Sequence, residues 1–267
     1  MRFIPAPRHL SAHVLGVTVL RTESEQIVAT PAHALAIFTL VHRGALQGNA
    51  QLVAGPGALV GQGSAGTARM VVATAGTVTA SLLCRASILP LLSGESASQF
   101  ADRYVPPALA GLDADMLQEH LVGDATDEAL AAALFAQVDR TLRQARAPRS
   151  AAVRFACALD GWAKGLPSRA PVGWGERQWQ RACQAELGVS PKFLLRLSRL
   201  HASVRHRLVD RAEPLAEHAV GAGFFDQAHM AREYRLLTGI APSRSLADEG
   251  AATALGASQL APRFFSR

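Results

Sequence analysis

Hydrophobic spacing changes character part-way along the chain. In the first hundred residues it is continuous or alternating. HVLGVTVLRT (His13–Thr22) and ALAIFTLVHRG (Ala34–Gly44) are β-branched and apolar runs bounded by polar or turn residues, which predicts strands. ARMVVATAG and TVTASLLCRA follow, with Gly76 between them as the expected turn. This part reads as a small barrel or sandwich. Beyond it glycine and proline thin out and the apolar period lengthens to three or four. MLQEHL (Met116–Leu121) and DEALAAALFAQVDRTLRQA (Asp127–Ala145) are predicted helices. The second takes Asp127 as its N-cap and carries Leu130, Leu134, Val138 and Leu142 in one stripe. RAPRS (Arg146–Ser150) reads as a linker, the chain to about Leu246 as wholly helical, and 248–267 as a flexible tail. The expected fold class is α+β: a β-rich, barrel- or sandwich-like domain with a helical end over 1–149, then an all-α domain over 150–247.

Within the all-α part the pattern is detailed enough to predict faces. In VGWGERQWQRACQAELG (Val172–Gly188), Trp179, Cys183 and Leu187 repeat every four residues and leave Arg177, Gln180 and Arg181 outside. In SPKFLLRLSRLHASVRHRL (Ser190–Leu208), Ser190 is the expected N-cap and Pro191 suits the first helical position. Leu194, Leu197, Val204 and Leu208 form the inward stripe there, while Lys192, Arg196 and Arg199 share another face. In PLAEHAVGAGFFDQAHMAREYRLLTG, Leu215, Ala219 and Val220 are placed on one helical face, and Gly223 supplies the turn. Phe224 is expected to plug the core and Asp226 to cap the next helix. Met230, Tyr234 and Leu237 then point inward. Gln227, Ala228, His229 and Arg232 are left on the outer face near that helix's N-terminus, the end that enters a major groove in such an architecture.

Charge sharpens this picture. Residues 1–149 hold 11 basic and 11 acidic side chains, and residues 150–247 hold 14 and 8, so the net charge of +6 sits in the helical segment. That is the distribution of a piece that meets a polyanion. Only two of the 27 basic residues are lysines, and arginine suits bidentate contacts to phosphate and guanine.

Other chemistries are weaker. GQGSAG (Gly61–Gly66) matches a dinucleotide-binding glycine pattern, but the stretch after it reads as a strand, and Arg85 stands near the place where an acid is needed. His33 and His42 lack a nearby acidic partner and read as ordinary strand or loop residues. Cys84, Cys157 and Cys183 are odd in number and far apart, as buried reduced thiols are. No nucleophile–base pair, metal spacing or cofactor motif stands out, so no catalytic residue, metal ligand or cofactor is expected. The N-terminus has no apolar run behind MRFIPAPRHL, and TVTASLLCRASILPLL is short and carries Arg85. A cytoplasmic protein with no membrane partner is expected.

The run LGVSPKFLLRLSRLHASVRHRL, followed by PLAEHAVGAGFFDQAHMAREYRLLTGIAPSR, resembles the DNA-binding domain of the AraC/XylS family of bacterial transcription regulators. The resemblance implies a seven-helix domain over about 150–247 with two helix-turn-helix units. It implies DNA-reading positions at Gln227, Ala228, His229 and Arg232 in the second unit and at Arg177, Gln180 and Arg181 in the first. Lys192 and Arg196, on the outer face of the long helix between the units, complete the candidate DNA-binding set. This chain departs from the family pattern in three places. Pro167 and Pro171 oppose a full supporting helix in the first unit, Gly175 replaces a serine cap, and Ala228 offers no hydrogen bond. The first half is similar to the cupin-like regulatory domains of some family members, with SASQFADRYVPPALAGLDADMLQEHL resembling the segment that ends them.

The expected function is a sequence-specific, double-stranded-DNA-binding regulator and not an enzyme, an effector-responsive activator that reads the major groove with two helices. The long helix between the units would act as a rigid spacer, setting them about one helical turn apart. A small-molecule effector at the N-terminal domain, a homodimer partner and, for an activator, RNA polymerase complete the expected partners. The alternative is a cupin-like metal-dependent enzyme with a helical appendage.

Overall fold

The computed structural model describes residues 1–48, 51–121, 123–145, 173–209 and 213–245. The predicted linker, Pro167 and Pro171 of the first unit's supporting segment, Cys157 and the tail lie outside them.

The first half folds as two antiparallel sheets. The larger has the order β1 (Arg2–Pro5), β2 (Val14–Arg21), β9 (Val78–Arg85), β4 (Leu35–Arg43), β7 (Leu59–Gln62), β10 (Tyr104–Val105). The smaller has the order β3 (Gln26–Thr30), β8 (Arg69–Ala73), β5 (Leu46–Gly48), β6 (Gln51–Ala54). Gly76, at φ 73°, makes the expected turn between β8 and β9. Around it the Thr22 hydroxyl donates to the Thr74 carbonyl at 2.7 Å and accepts from the Thr77 N–H at 2.9 Å. GQGSAG is structural: a side chain at Gly61 would stand 2.2 Å from the Val105 carbonyl oxygen, and one at Gly63 2.1 Å from that of Phe100. Its glycines let neighbouring backbone approach, and β8 follows them.

Helix α1 (Ile88–Ser93) and helix α2 (Ala114–His120) lead to α3 (Asp127–Gln144). The α3 stripe of Leu130, Leu134 and Val138 is buried against Val17, Val19, Phe38, Leu40 and Leu82 of the large sheet. The cap of α3 is Thr126, whose side chain accepts from the Ala129 N–H, and Asp127 is the first helical residue. The sequence reading placed the cap one residue late, because either type serves at that position. Asp127 instead accepts from Arg21 Nε at 2.8 Å and ties α3 to β2.

The helical half comprises α4 (Glu176–Leu187), α5 (Pro191–Val209), α6 (Leu215–Gly221), α7 (Gln227–Thr238) and the short α8 (Pro242–Ser245). Trp179, Cys183, Leu187, Leu194, Leu197, Val204, Ala219, Phe224, Met230, Tyr234 and Leu237 are buried in one cluster, largely as the spacing predicts. Val220 does not join it; it is 64% exposed, because it lies next to Ala219 and so turns off the buried face. Burial pushes the Cys183 thiol up to about 12, which keeps it protonated and inert.

The two halves interlock. Ala32 and Ala86 of the β half belong to the helical cluster. The Ala32 N–H donates to the Leu237 carbonyl at 2.7 Å and the Ala68 N–H to the Leu236 carbonyl at 3.1 Å. Carbonyls in the last turn of a helix lack intrahelical donors, so the β half supplies them to α7. At the other contact, Gly188 ends α4 at φ 70°, and a Cβ there would stand 2.7 Å from the Ala97 carbonyl oxygen and 2.8 Å from Ser64 Oγ. Gly188→Ala is expected to cost on the order of 1 kcal/mol in backbone strain alone, and more if the seam resists opening. Urea unfolding of the variant measures this.

Candidate nucleic-acid interface

The second unit is built from α6, a tight turn and α7. Gly223 takes φ 82°, and the Phe224 N–H donates to the Ala219 carbonyl at 2.9 Å, which turns the chain back over a buried alanine. Phe224 is 4% exposed and plugs the turn. Asp226 then caps α7, accepting from the His229 N–H at 2.6 Å. With Met230, Tyr234 and Leu237 at 0% exposure, the helix has one fully buried side.

The opposite side carries the candidates. Gln227, Ala228 and Arg232 are exposed. Among the described residues Gln227 and Arg232 make no side-chain hydrogen bond or ion pair. His229 differs. It is half-buried, its ring packs edge-on against Phe224 at 5.7 Å, and its Nδ1 accepts from the Phe225 N–H at 3.2 Å. In the neutral ring the proton then resides on Nε2, which leaves one outward donor. The N-terminal end of α7 adds its own positive dipole end to this face.

Phe225 is an exposed residue beyond the expected set. It is 86% exposed at the start of α7. The FF doublet was its signal, since a turn that buries one phenylalanine as its plug turns the next residue outward.

The first unit presents α4, whose Arg177, Gln180 and Arg181 are all exposed. Gly175 offers no side-chain cap, as its lack of a side chain implies. Trp174 packs edge-on against the buried Trp179, at 6.2 Å and 80°. Ser190 caps α5 by accepting from the Phe193 N–H at 3.2 Å. The 19 residues of α5 make a rod of about 28 Å at 1.5 Å per residue.

Of the candidates on α5, Lys192 is exposed, but Arg196 is not free to read DNA. Its Nε lies 2.7 Å from Glu233 Oε2 on α7, with both side chains mostly buried. It holds α5 to α7. Arg199 is similarly turned onto the Phe224 ring, 5.8 Å from its centroid. Arg196→Met is expected to cost roughly 1–2 kcal/mol, since it strands a part-buried carboxylate. Denaturant unfolding together with DNA titration checks this; lost DNA affinity at unchanged stability would return Arg196 to the reading face.

A family model described as a helix-turn-helix domain matches residues 170–247. No curated protein matches the chain. Among solved structures the chain is similar to ToxT from Vibrio cholerae O395, at 12% identity over 86% of this chain and 96% of that one, with a TM-score of 0.39. It is also similar to unsaturated fatty acid bound wild-type ToxT from Vibrio cholerae strain SCE256, at 12% identity over 88% and 95%, with a TM-score of 0.40. Residues 170–247 thus belong to the AraC-type helix-turn-helix domains, and the chain that carries them is a DNA-binding transcription regulator.

Proposed function

We propose that the protein is a sequence-specific, effector-responsive activator that reads the major groove chiefly through α7 and grips a neighbouring stretch through α4. The observation that carries this is the division of α7. One side is locked in the core, and the other offers Gln227 and Arg232, uncommitted among the described residues, beside the helix N-terminus. Gln pairs with adenine and Arg with guanine or phosphate, so two bases are the natural reach of this face. Ala228 and the exposed Phe225 add apolar contact of the kind that suits a thymine methyl group. Arg177 and Arg181 on α4 act first as phosphate contacts, which set register without carrying sequence.

Two features favour control by the N-terminal half. It supplies backbone donors to the last turn of α7, and its Ala97 and Ser64 close over the end of α4. A small-molecule effector that changes the β half is thereby coupled to both reading helices. Homodimerisation through the β half, contact with RNA polymerase and a cytoplasmic site of action belong to the same proposal. Among the described residues no helix is long and apolar enough to cross a membrane. The role is regulatory and not enzymatic.

Selection of bound sequences from a random DNA pool, using the full chain, tests the reading. Two recurring half-sites about one helical turn apart are expected if both helices read bases. A single half-site would confine sequence reading to α7, and no enriched sequence would overturn the proposal.

A further inference from the structure

Behind the reading helix lies a group of side chains that the DNA-binding role does not use. The structure assigns a site for a divalent transition-metal ion, of the zinc or cobalt class, to His206, Glu213 and His218. The three come from separate places: the C-terminal part of α5, the residue two before α6, and α6 itself. Their ligand atoms all lie within 4.8 Å of one another. His218 Nδ1 is 3.0 Å from Glu213 Oε2, and His206 Nδ1 is 3.8 Å from the same oxygen. Bonds of about 2.1 Å in a tetrahedral shell separate ligand atoms by roughly 3.4 Å, and the two distances bracket that value.

Hydrogen bonding accounts for one of the two contacts. His218 is within reach of Glu213, but 3.8 Å is too long for His206. Even so, His206 Nδ1 stands 3.8 Å from the oxygen that His218 already occupies, and the rings lie 5.2 Å apart at 35°. An ion shared by the two Nδ1 atoms and the carboxylate accounts for both distances.

The outer shell fits as well. A ligating histidine donates its other ring N–H to an oxygen, which fixes its tautomer. His218 Nε2 is 2.8 Å from Ser203 Oγ, which is 2.6 Å from the Tyr234 hydroxyl. Ser203, His218 and Tyr234 are each 0% exposed. A set of two imidazoles and one carboxylate suits zinc or its neighbours, whereas calcium and magnesium call for oxygen-only shells. The half-exposed His206 leaves a way in from solvent. Bound there, the ion would clamp the end of α5 to α6 and stiffen the unit that presents α7.

The test uses untagged full-length protein stripped with a chelator. Zn²⁺ is titrated by calorimetry, Co²⁺ is followed by its visible absorption, and Tm is recorded with and without Zn²⁺. Wild type is expected to take up one ion per chain, gain thermal stability and give the intense absorption of tetrahedral cobalt. His206→Ala, at a half-exposed position, is expected to keep the Tm of the stripped protein and lose Zn²⁺ affinity at least tenfold. Glu213→Gln should do the same to affinity. Failure of the stripped wild type to bind Zn²⁺ would overturn the site, as would unchanged affinity in His206→Ala. Either result would leave the cluster as a buried polar lock and nothing more.

Discussion

Arg232→Ala is expected to weaken binding to the selected DNA site by about 1–3 kcal/mol, roughly fivefold to 150-fold, and to relax preference at one base pair. The side chain is exposed on α7 and has no hydrogen-bonding or ionic partner among the described residues. Its loss should therefore leave unfolding stability within about 0.5 kcal/mol of wild type. Fluorescence anisotropy on the selected site, and on sites changed one base pair at a time, separates the outcomes. A loss confined to one position marks a base contact. An equal loss on every sequence, with the salt slope reduced by about one, marks a phosphate contact and removes Arg232 from sequence reading.

The second large effect is a pH dependence set by His33. This ring lies in the β half beside the seam, next to Ala32, whose N–H meets the end of α7. Burial lowers its pKa from 6.5 to about 4, and the nearby Arg69 cation pushes in the same direction. Asp102 works against this shift without cancelling it. Above pH 6.5 the ring is neutral in both folded and unfolded chains, and the difference contributes nothing. As pH falls from 6.5 towards about 4, the unfolded chain takes up a proton that the folded chain refuses. Stability should therefore fall by about 1.4 kcal/mol per pH unit, or about 3 kcal/mol in all. Urea unfolding of wild type and His33→Gln across this window isolates the effect, because other groups titrate alike in both. Parallel pH profiles for the two proteins would show that His33 is not the source.

How far the sequence could be read depended on the element. In the helical half, spacing alone placed Trp179, Cys183, Leu187, Met230, Tyr234 and Leu237 in the core, because the helical period maps sequence onto faces directly. The Asp226 and Ser190 caps were legible for the same local reason. The β half yielded its class but not its pairing. β2, β9 and β4 are neighbours although they are distant in sequence, and nothing local in a strand states its partner. Short strands such as β5 and β10 passed unseen because so few residues show no period.

The candidate interface divides in the same way. That Gln227 and Arg232 face outward follows from their positions relative to Met230 and Tyr234. That Arg196 is taken up by Glu233 depends on how α5 and α7 cross. The buried run from Glu213 through His218 and Ser203 to Tyr234 joins α5, α6, α7 and the turn between them. By itself the sequence determined which residues form helices, which faces those helices bury and where the positive charge lies, since these depend on neighbours a few positions apart. Only the tertiary structure decided which cations are taken up by carboxylates, which side chains converge between α5, α6 and α7, and that the β half holds the end of α7. Those are contacts between separate elements, set by packing and not by period.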